Sequence, residues 1–184
     1  MAGNTANPRI WESADVYVAP VGTARPTNIA TALSGTWVSV GLLSDETGMV
    51  EGRDEQVNDY YAWGNILVRT TRSKHKRTIK IAFLEDNPTV FGLVNPGSTT
   101  FTESNLATRT VKTPTANPKA WVIQTTDGEN IRRRAIPRGE IIEVADITHS
   151  ENEMTMYEAT INVYPDSNGV LWYDISNDDQ IESS

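Results

Sequence analysis

Apolar and polar residues alternate with a period of two in two stretches of the chain. Ile79, Ile81 and Phe83 point one way while Lys80 and Ala82 point the other; Tyr157, Ala159, Ile161 and Val163 alternate with Met156, Glu158, Thr160 and Asn162. Both patterns predict strands with one buried face. Turn chemistry then predicts how strands are joined. Asp127-Gly128 lies between 120–124 and 131–136, an Asp-Gly hairpin signal because both residues tolerate positive φ. Asp166-Ser167-Asn168-Gly169 does the same between a strand ending at Tyr164 and Val170-Leu171-Trp172-Tyr173. Arg72-Ser73-Lys74-His75-Lys76 reads as a basic tip between a strand at 65–71 and one starting near Arg77. Further strands are expected at 15–19, 36–41 and 107–111, giving eight or nine.

One helix is predicted over about 87–95. Asp or Asn precedes Pro88, Val90, Phe91 and Val94 give an apolar face, and Pro96-Gly97 stops the run. Between Leu42 and Trp63 the chain is polar and acid-rich. A connection of about 20 residues is too long for a turn and predicts an arm or an irregular loop, placed at about 44–64. Residues 98–118 form a second irregular region.

Composition supports a mainly β chain. Val, Ile and Thr number 15, 14 and 22, against 8 Leu and 4 Met, the reverse of helical-bundle usage. With 184 residues the chain can bury a core without staples, and it has no cysteine, which removes disulfides, thiolate nucleophiles and Cys-type metal sites. Apolar runs are too short to span a bilayer. Met1-Ala2-Gly3-Asn4-Thr5 lacks the features of a secretory signal, so a protein made and used in solution, away from membranes, is expected.

The net charge of −8 hides an asymmetry. Residues 140–184 hold eleven acids and no Lys or Arg, whereas residues 1–139 hold sixteen bases and thirteen acids, so −11 follows +3. Ten bases lie in two clusters, Arg69 to Lys80 and Arg132, Arg133, Arg134 and Arg138. Two readings are open: a solvated surface, or unlike patches that meet between copies of the chain.

Little in the sequence points to catalysis. His75 and His149 lack ligand spacing to a second histidine or a paired carboxylate, and no phosphate loop or nucleophile elbow occurs. Asp166 to Gly169 resembles the start of a calcium loop but lacks the downstream Glu, and a turn accounts for it. No enzyme, metal or cofactor is expected. Arg132-Arg133-Arg134 on a strand would send Arg133 to one face and its neighbours to the other, which breaks any single phosphate-binding stripe. Trp11, Trp37, Trp121 and Trp172 are expected in the core. Tyr60, Tyr61 and Trp63 close the acid-rich arm, where bulky aromatics suit an interface, with the core as the other reading for Tyr60 and Trp63.

Four passages taken together resemble a known family. Val16-Tyr17-Val18-Ala19-Pro20-Val21-Gly22-Thr23-Ala24, then Trp37 to Gly48, the arm ending in Ala62-Trp63-Gly64, and Lys80-Ile81-Ala82-Phe83-Leu84-Glu85-Asp86-Asn87-Pro88 resemble, in order, the major tail proteins of long, flexible-tailed bacteriophages, nearest those infecting actinobacteria. The resemblance implies a single tail-tube domain over 1–184: an antiparallel β-sandwich or barrel with one short flanking helix and a long extended arm. Members often carry an added immunoglobulin-like domain, and none is expected here. It further implies six copies closing into a ring, rings stacking into a tail tube that conducts DNA during ejection, and an arm that reaches a neighbouring subunit or ring. The implied partners are copies of the chain, tape-measure and tail-terminator or tip proteins, and DNA in transient, non-specific passage, in a virion assembled in the host cytoplasm. The expected contact residues are Glu51, Arg53, Asp54, Tyr60, Tyr61 and Trp63 on the arm and the arginines 132, 133, 134 and 138 as charge patches. Glu143 and Glu158 are candidates for the lumen wall. The competing readings are a virion-surface or carbohydrate-binding β-sandwich and a tail-terminator or head–tail joining ring.

Overall fold

The alternating segments do become strands, and they assemble into one strongly curled sheet. The structure, a computed structural model, describes residues 8–33 and 35–177. In chain order these form β1 (Ser13–Pro20), β2 (Val38–Ser39), β3 (Val50–Ala62), β4 (Ile66–Phe83), α1 (Pro88–Val94), β5 (Thr99–Glu103), β6 (Leu106–Thr110), β7 (Lys119–Asp127), β8 (Asn130–Val144), β9 (Tyr157–Val163) and β10 (Tyr173–Ser176). The main sheet runs β2-β1-β7-β8-β9-β4-β3, with β10 on β8, all antiparallel; β5 and β6 form a separate hairpin. The observed architecture is the expected one, mainly antiparallel β with one short helix.

Residues 40–44 bring the two ends of this sheet together. Val40 N donates to Val16 O on β1, while Ser44 N donates to Ala82 O and Leu42 O accepts from Leu84 N beside β4. The sheet therefore curls around its own inner face. That face carries Val16 and Val18, Trp121 and Ile123, Ile136, Ala159, Ile161 and Val163, and Ile79, Ile81 and Phe83, all buried in one cluster. Val90 and Leu93 of α1 pack into the same cluster. Asn87 caps the helix by accepting from Val90 N at 2.9 Å, and Pro88 occupies its first turn, where a missing N–H costs nothing.

Gly139 explains the tightest point of the core. A Cβ there would come to 3.0 Å from both Ile161 and Trp121, so any larger residue would force these buried side chains to shift. The Gly139 carbonyl in turn accepts from Trp121 Nε1 at 3.1 Å, which satisfies the indole in the apolar interior. Pro137 is accommodated by a register shift between β7 and β8.

Several expectations are corrected. The acid-rich segment at 44–64 is not irregular: from Val50 it is strand β3, paired with β4 as far as Ala62. The turn expected at Arg72–Lys76 lies instead at Trp63-Gly64-Asn65, where Gly64 (φ 86°) and Asn65 (φ 60°) supply the left-handed backbone. At 72–76 the strand continues through a bulge with Lys74 at φ 56°. The strand expected at 36–41 shrinks to Val38–Ser39 because the chain leaves β1 to cross to β4. The strand expected at 170–173 starts only at Tyr173, because Asp166 ties down the preceding loop: its Oδ1 accepts from Asn168 N and Val170 N, and its Oδ2 from the Tyr173 hydroxyl. Of the four tryptophans expected in the core, Trp121 alone is fully buried. Trp11, Trp37 and Trp172 keep part of their surface exposed.

Trp121→Ala should lower the free energy of unfolding by about 3–5 kcal/mol, read as a drop in the urea midpoint. The Val170 amide, the Tyr173 hydroxyl and the Asn168 amide hold the Asp166 carboxyl below its ordinary range. A depressed folded pKa stabilises the fold above the unfolded pKa and is lost as pH falls through the folded one. Asp166→Asn should therefore melt below wild type at neutral pH, with the difference closing in acid.

Candidate assembly surfaces

β4 has two environments. Its last residues, Ile79 to Phe83, sit in the core, whereas from Ile66 to Arg77 almost every residue is exposed. β3 follows it outward, so the two form a hairpin that leaves the body near Gly52 and Thr78 and ends about 33 Å away. Along its shaft Glu55 accepts from Arg53 Nε at 2.6 Å and lies 3.5 Å from Arg72 and 3.4 Å from His75. The Arg53 hydrogen bond outweighs burial, and with these cations it holds the Glu55 carboxyl below its ordinary value. The cluster sits at the bulge and keeps a polar ribbon in register where no core supports it.

At the tip the chemistry changes. Tyr60, Tyr61, Ile66, Leu67 and Val68 are more than half exposed, and Trp63 is 100% exposed. Tyr61 pairs with Leu67 and Ala62 with Ile66, so apolar groups occupy both faces of the ribbon. The core reading for Tyr60 and Trp63 is thereby overturned.

The base of the hairpin is clamped by ions. Glu51 accepts from Arg77 at 3.0 Å and from Arg134 at 2.9 Å, and Arg134 also makes a two-pronged bond to Asp174 at 2.9 and 3.2 Å. The Arg134 guanidinium lies 4.5 Å from the Trp172 ring centre. Burial disfavours the Arg134 charge, but the bonds to Asp174 and Glu51 outweigh it and raise its pKa above the ordinary value. One cation therefore joins β3, β8 and β10.

The four arginines expected to act as a group are divided. Arg133 is buried on the opposite face of β8 from Arg134. Its guanidinium donates to Gln124 Oε1 at 2.6 and 3.0 Å and to the carbonyls of Asn28 and Thr31 at 2.9 Å, which fastens the 21–33 segment over β7 and β8. Without a carboxylate beside it, burial lowers its pKa. Arg132 lies over Trp11 at 5.1 Å, with its Nε buried and unpaired among the described residues, and Arg138 lies over Tyr164 at 5.3 Å. Arg133 and Arg134 are thus engaged inside their own subunit. Several acids of the last quarter are engaged likewise: Glu158 pairs with Lys80 at 2.9 Å, Asp174 with Arg134, and Glu140 accepts from Asn117 N at 2.8 Å. Asp178, Asp179 and Glu182 lie outside the described residues.

Glu143 and Glu158 do share a face. Register places Glu143 opposite Thr160, next to Glu158 and Lys80 on the outer side of β8, β9 and β4, where Glu140, Asn162 and Thr78 also lie. This side is mostly polar, with Ala82 buried beside Glu158. His75 and His149 are far apart in their contacts, the first near Glu55 and the second 3.2 Å from the Thr155 hydroxyl.

Two concavities open at opposite ends of the body. One, about 350 Å³, lies between α1 and the β1–β2 edge, lined by Val18, Val38, Thr89, Gly92, Leu93 and Lys119 among others. The other, about 700 Å³, lies by the hairpin base between Trp11–Asp15 and Gly41–Glu51, with Arg132 and Arg134 in its wall.

A curled β body thus projects a long hairpin whose apolar tip is uncovered among the described residues. The family model described as phage tail tube protein matches residues 1–183, and the chain belongs to that family. No curated protein matches it. Among solved structures, the fold is shared with a chain of the sheath–tube complex of an extracellular contractile injection system in its extended state, at a TM-score of 0.52 and 8% identity over 96% of this chain and 99% of that one. The chain is thus a structural tail-tube protein, a component of a phage tail.

The arm residues Glu51, Arg53, Asp54, Tyr60, Tyr61 and Trp63 lie on one hairpin, but Glu51 holds its base and only the aromatics reach its tip. Sequence reading missed Glu55, Arg77, Asp174 and Trp172 as supports, and Ile66, Leu67 and Val68 as members of the tip. Gly64-Asn65 was the signal that could have located that tip. Arg134→Ala should destabilise the fold by about 1–3 kcal/mol, because it strands Asp174 and leaves Glu51 with Arg77 alone, whereas the exposed Arg138→Ala should change it by less than about 0.5 kcal/mol in chemical denaturation.

Proposed function

We propose that this chain polymerises as stacked hexameric rings and forms the tube through which phage DNA passes during ejection. The observation that supports this best is the hairpin tip, whose Tyr60, Tyr61 and Trp63 have no partner surface among the described residues. A contact between unlike surfaces closes into rings or runs on as a filament. Burying one tip gains roughly 10 kcal/mol at about 25 cal/mol/Å² for three aromatics of about 150 Å² each, while association costs about 4–15 kcal/mol. A single contact is therefore near break-even. Six contacts made at once between rings lose rigid-body freedom only once, so stacking is cooperative and concentration-dependent.

The polar side of β8, β9 and β4 with Glu143 and Glu158 faces the lumen. Its carboxylates Glu140, Glu143 and Glu158 outnumber Lys80, so such a wall repels phosphates and DNA slides without sticking. Further partners are the tape-measure protein that fills the tube before DNA enters and the terminator and tip proteins at its ends, with assembly in the host cytoplasm. The exposed aromatics also suit a carbohydrate-binding module, which provides the second reading.

Electron microscopy of the concentrated protein should show rings and tubes. A monomer at every concentration and salt would overturn the proposal, and rings that never stack would favour a terminator. Trp63→Ala should retain the wild-type melting temperature yet lose tubes; loss of glycan-array binding with tubes intact would favour the second reading.

A further inference from the structure

The hairpin tip and the smaller concavity lie at opposite ends of the subunit. Along β4 the tip joins the first residue, Ile66, and α1 begins five residues beyond the last, Phe83, so about 60 Å of strand separates them. A tip cannot reach the cavity of its own chain. We infer that the tip of one copy seats in the cavity beside α1 of the next copy, and this rests on the tube reading above.

Chemistry on both sides agrees. The cavity floor is apolar, with Val18 and Leu93 buried and Val38 half exposed. Lys119 in its wall has no carboxylate partner among the described residues and can lie over an aromatic ring. β5 leaves from its rim after Ser98, and the β5–β6 hairpin presents Phe101 (64% exposed) and Leu106 (71%) on one face, since Leu106 pairs with Glu103 two residues beyond Phe101. Arg109 fixes that hairpin to the helix through Asp86 at 2.6 Å and the Phe91 ring at 4.6 Å. The α1 end is thus an apolar seat with a cationic wall, facing a partner rich in Tyr and Trp.

The larger concavity is the alternative seat, and geometry argues against it. Glu51 lies in its wall and also at the hairpin base, so this concavity opens at the end from which the hairpin departs. Along a stack of like-oriented copies a tip meets the α1 end of the next copy and not this concavity, which a tip could enter only from a copy beside it or from one turned head to head. Docking at α1 keeps every copy in the same orientation and leaves a free tip and a free seat at the two ends of any stack.

The cysteine-free sequence makes the test clean. Ala62→Cys combined with Thr36→Cys should yield, on oxidation of assembled tubes, a ladder of covalent multimers. Ala62→Cys with Ser13→Cys, which reports the larger concavity, should yield none. Gly92 lines the seat and a Cβ there would meet no atom within 4 Å, so Gly92→Leu should fill the cavity, keep or raise the melting temperature through better helix propensity, and abolish tubes. Tubes without the Ala62–Thr36 ladder, or wild-type tube yield from Gly92→Leu, would overturn the seat while leaving the tube reading intact. Failure of the unaltered protein to assemble at all would remove both.

Discussion

β4 constrains the whole subunit because it is one unbroken strand placed in two solvents. Ile79, Ile81 and Phe83 fix its register, since a slip of one residue would turn all three out of the core. Once that end is fixed, the remaining residues to Ile66 have no body beneath them, and the ribbon must project. Among the described residues nothing apolar holds it, so it depends on backbone pairing with β3, on the Glu55 cluster, and on the Glu51–Arg77–Arg134–Asp174 clamp at its root.

That division sets the electrostatics. Charges at the hairpin base and around Glu55 are matched within the chain, whereas Arg69, Lys74 and Lys76 on the shaft have no carboxylate partner among the described residues. The apolar tip beyond them is uncovered as well. An aromatic cluster held far from the body by a rigid polar shaft can find another subunit and cannot collapse onto its own, and this is the property that a polymer of unlike contacts needs. Glu140, Glu143, Glu158 and Lys80 lie on the body, away from the apolar tip of the hairpin.

How much of this was legible in the sequence follows from the range of the determining interactions. Local rules sufficed for α1, whose cap, proline and stop lie within ten residues, and for the Asp127-Gly128 hairpin. Alternation found β9 and the buried end of β4 because each has one wet and one dry face. β3 escaped since it is wet on both faces and has no alternation to show; its turn was marked only by Gly64-Asn65. The opposite facing of Arg133 and its neighbours followed from strand period, yet the burial of Arg133 depends on Asn28 and Thr31, about a hundred residues away. Likewise the charge asymmetry was visible, but its partial cancellation within one chain, as in Arg134 with Asp174, required the register of β8 and β10.

The central claim is that the hairpin tip is bare in the subunit and covered in the assembly. Hydrogen–deuterium exchange on the dilute and the assembled protein tests it most directly. Amides of residues 58–70 should exchange quickly in the subunit and become protected on assembly, while the core amides of β7 and β9 stay slow in both. Unchanged exchange at the tip in a protein that has formed tubes would contradict the account.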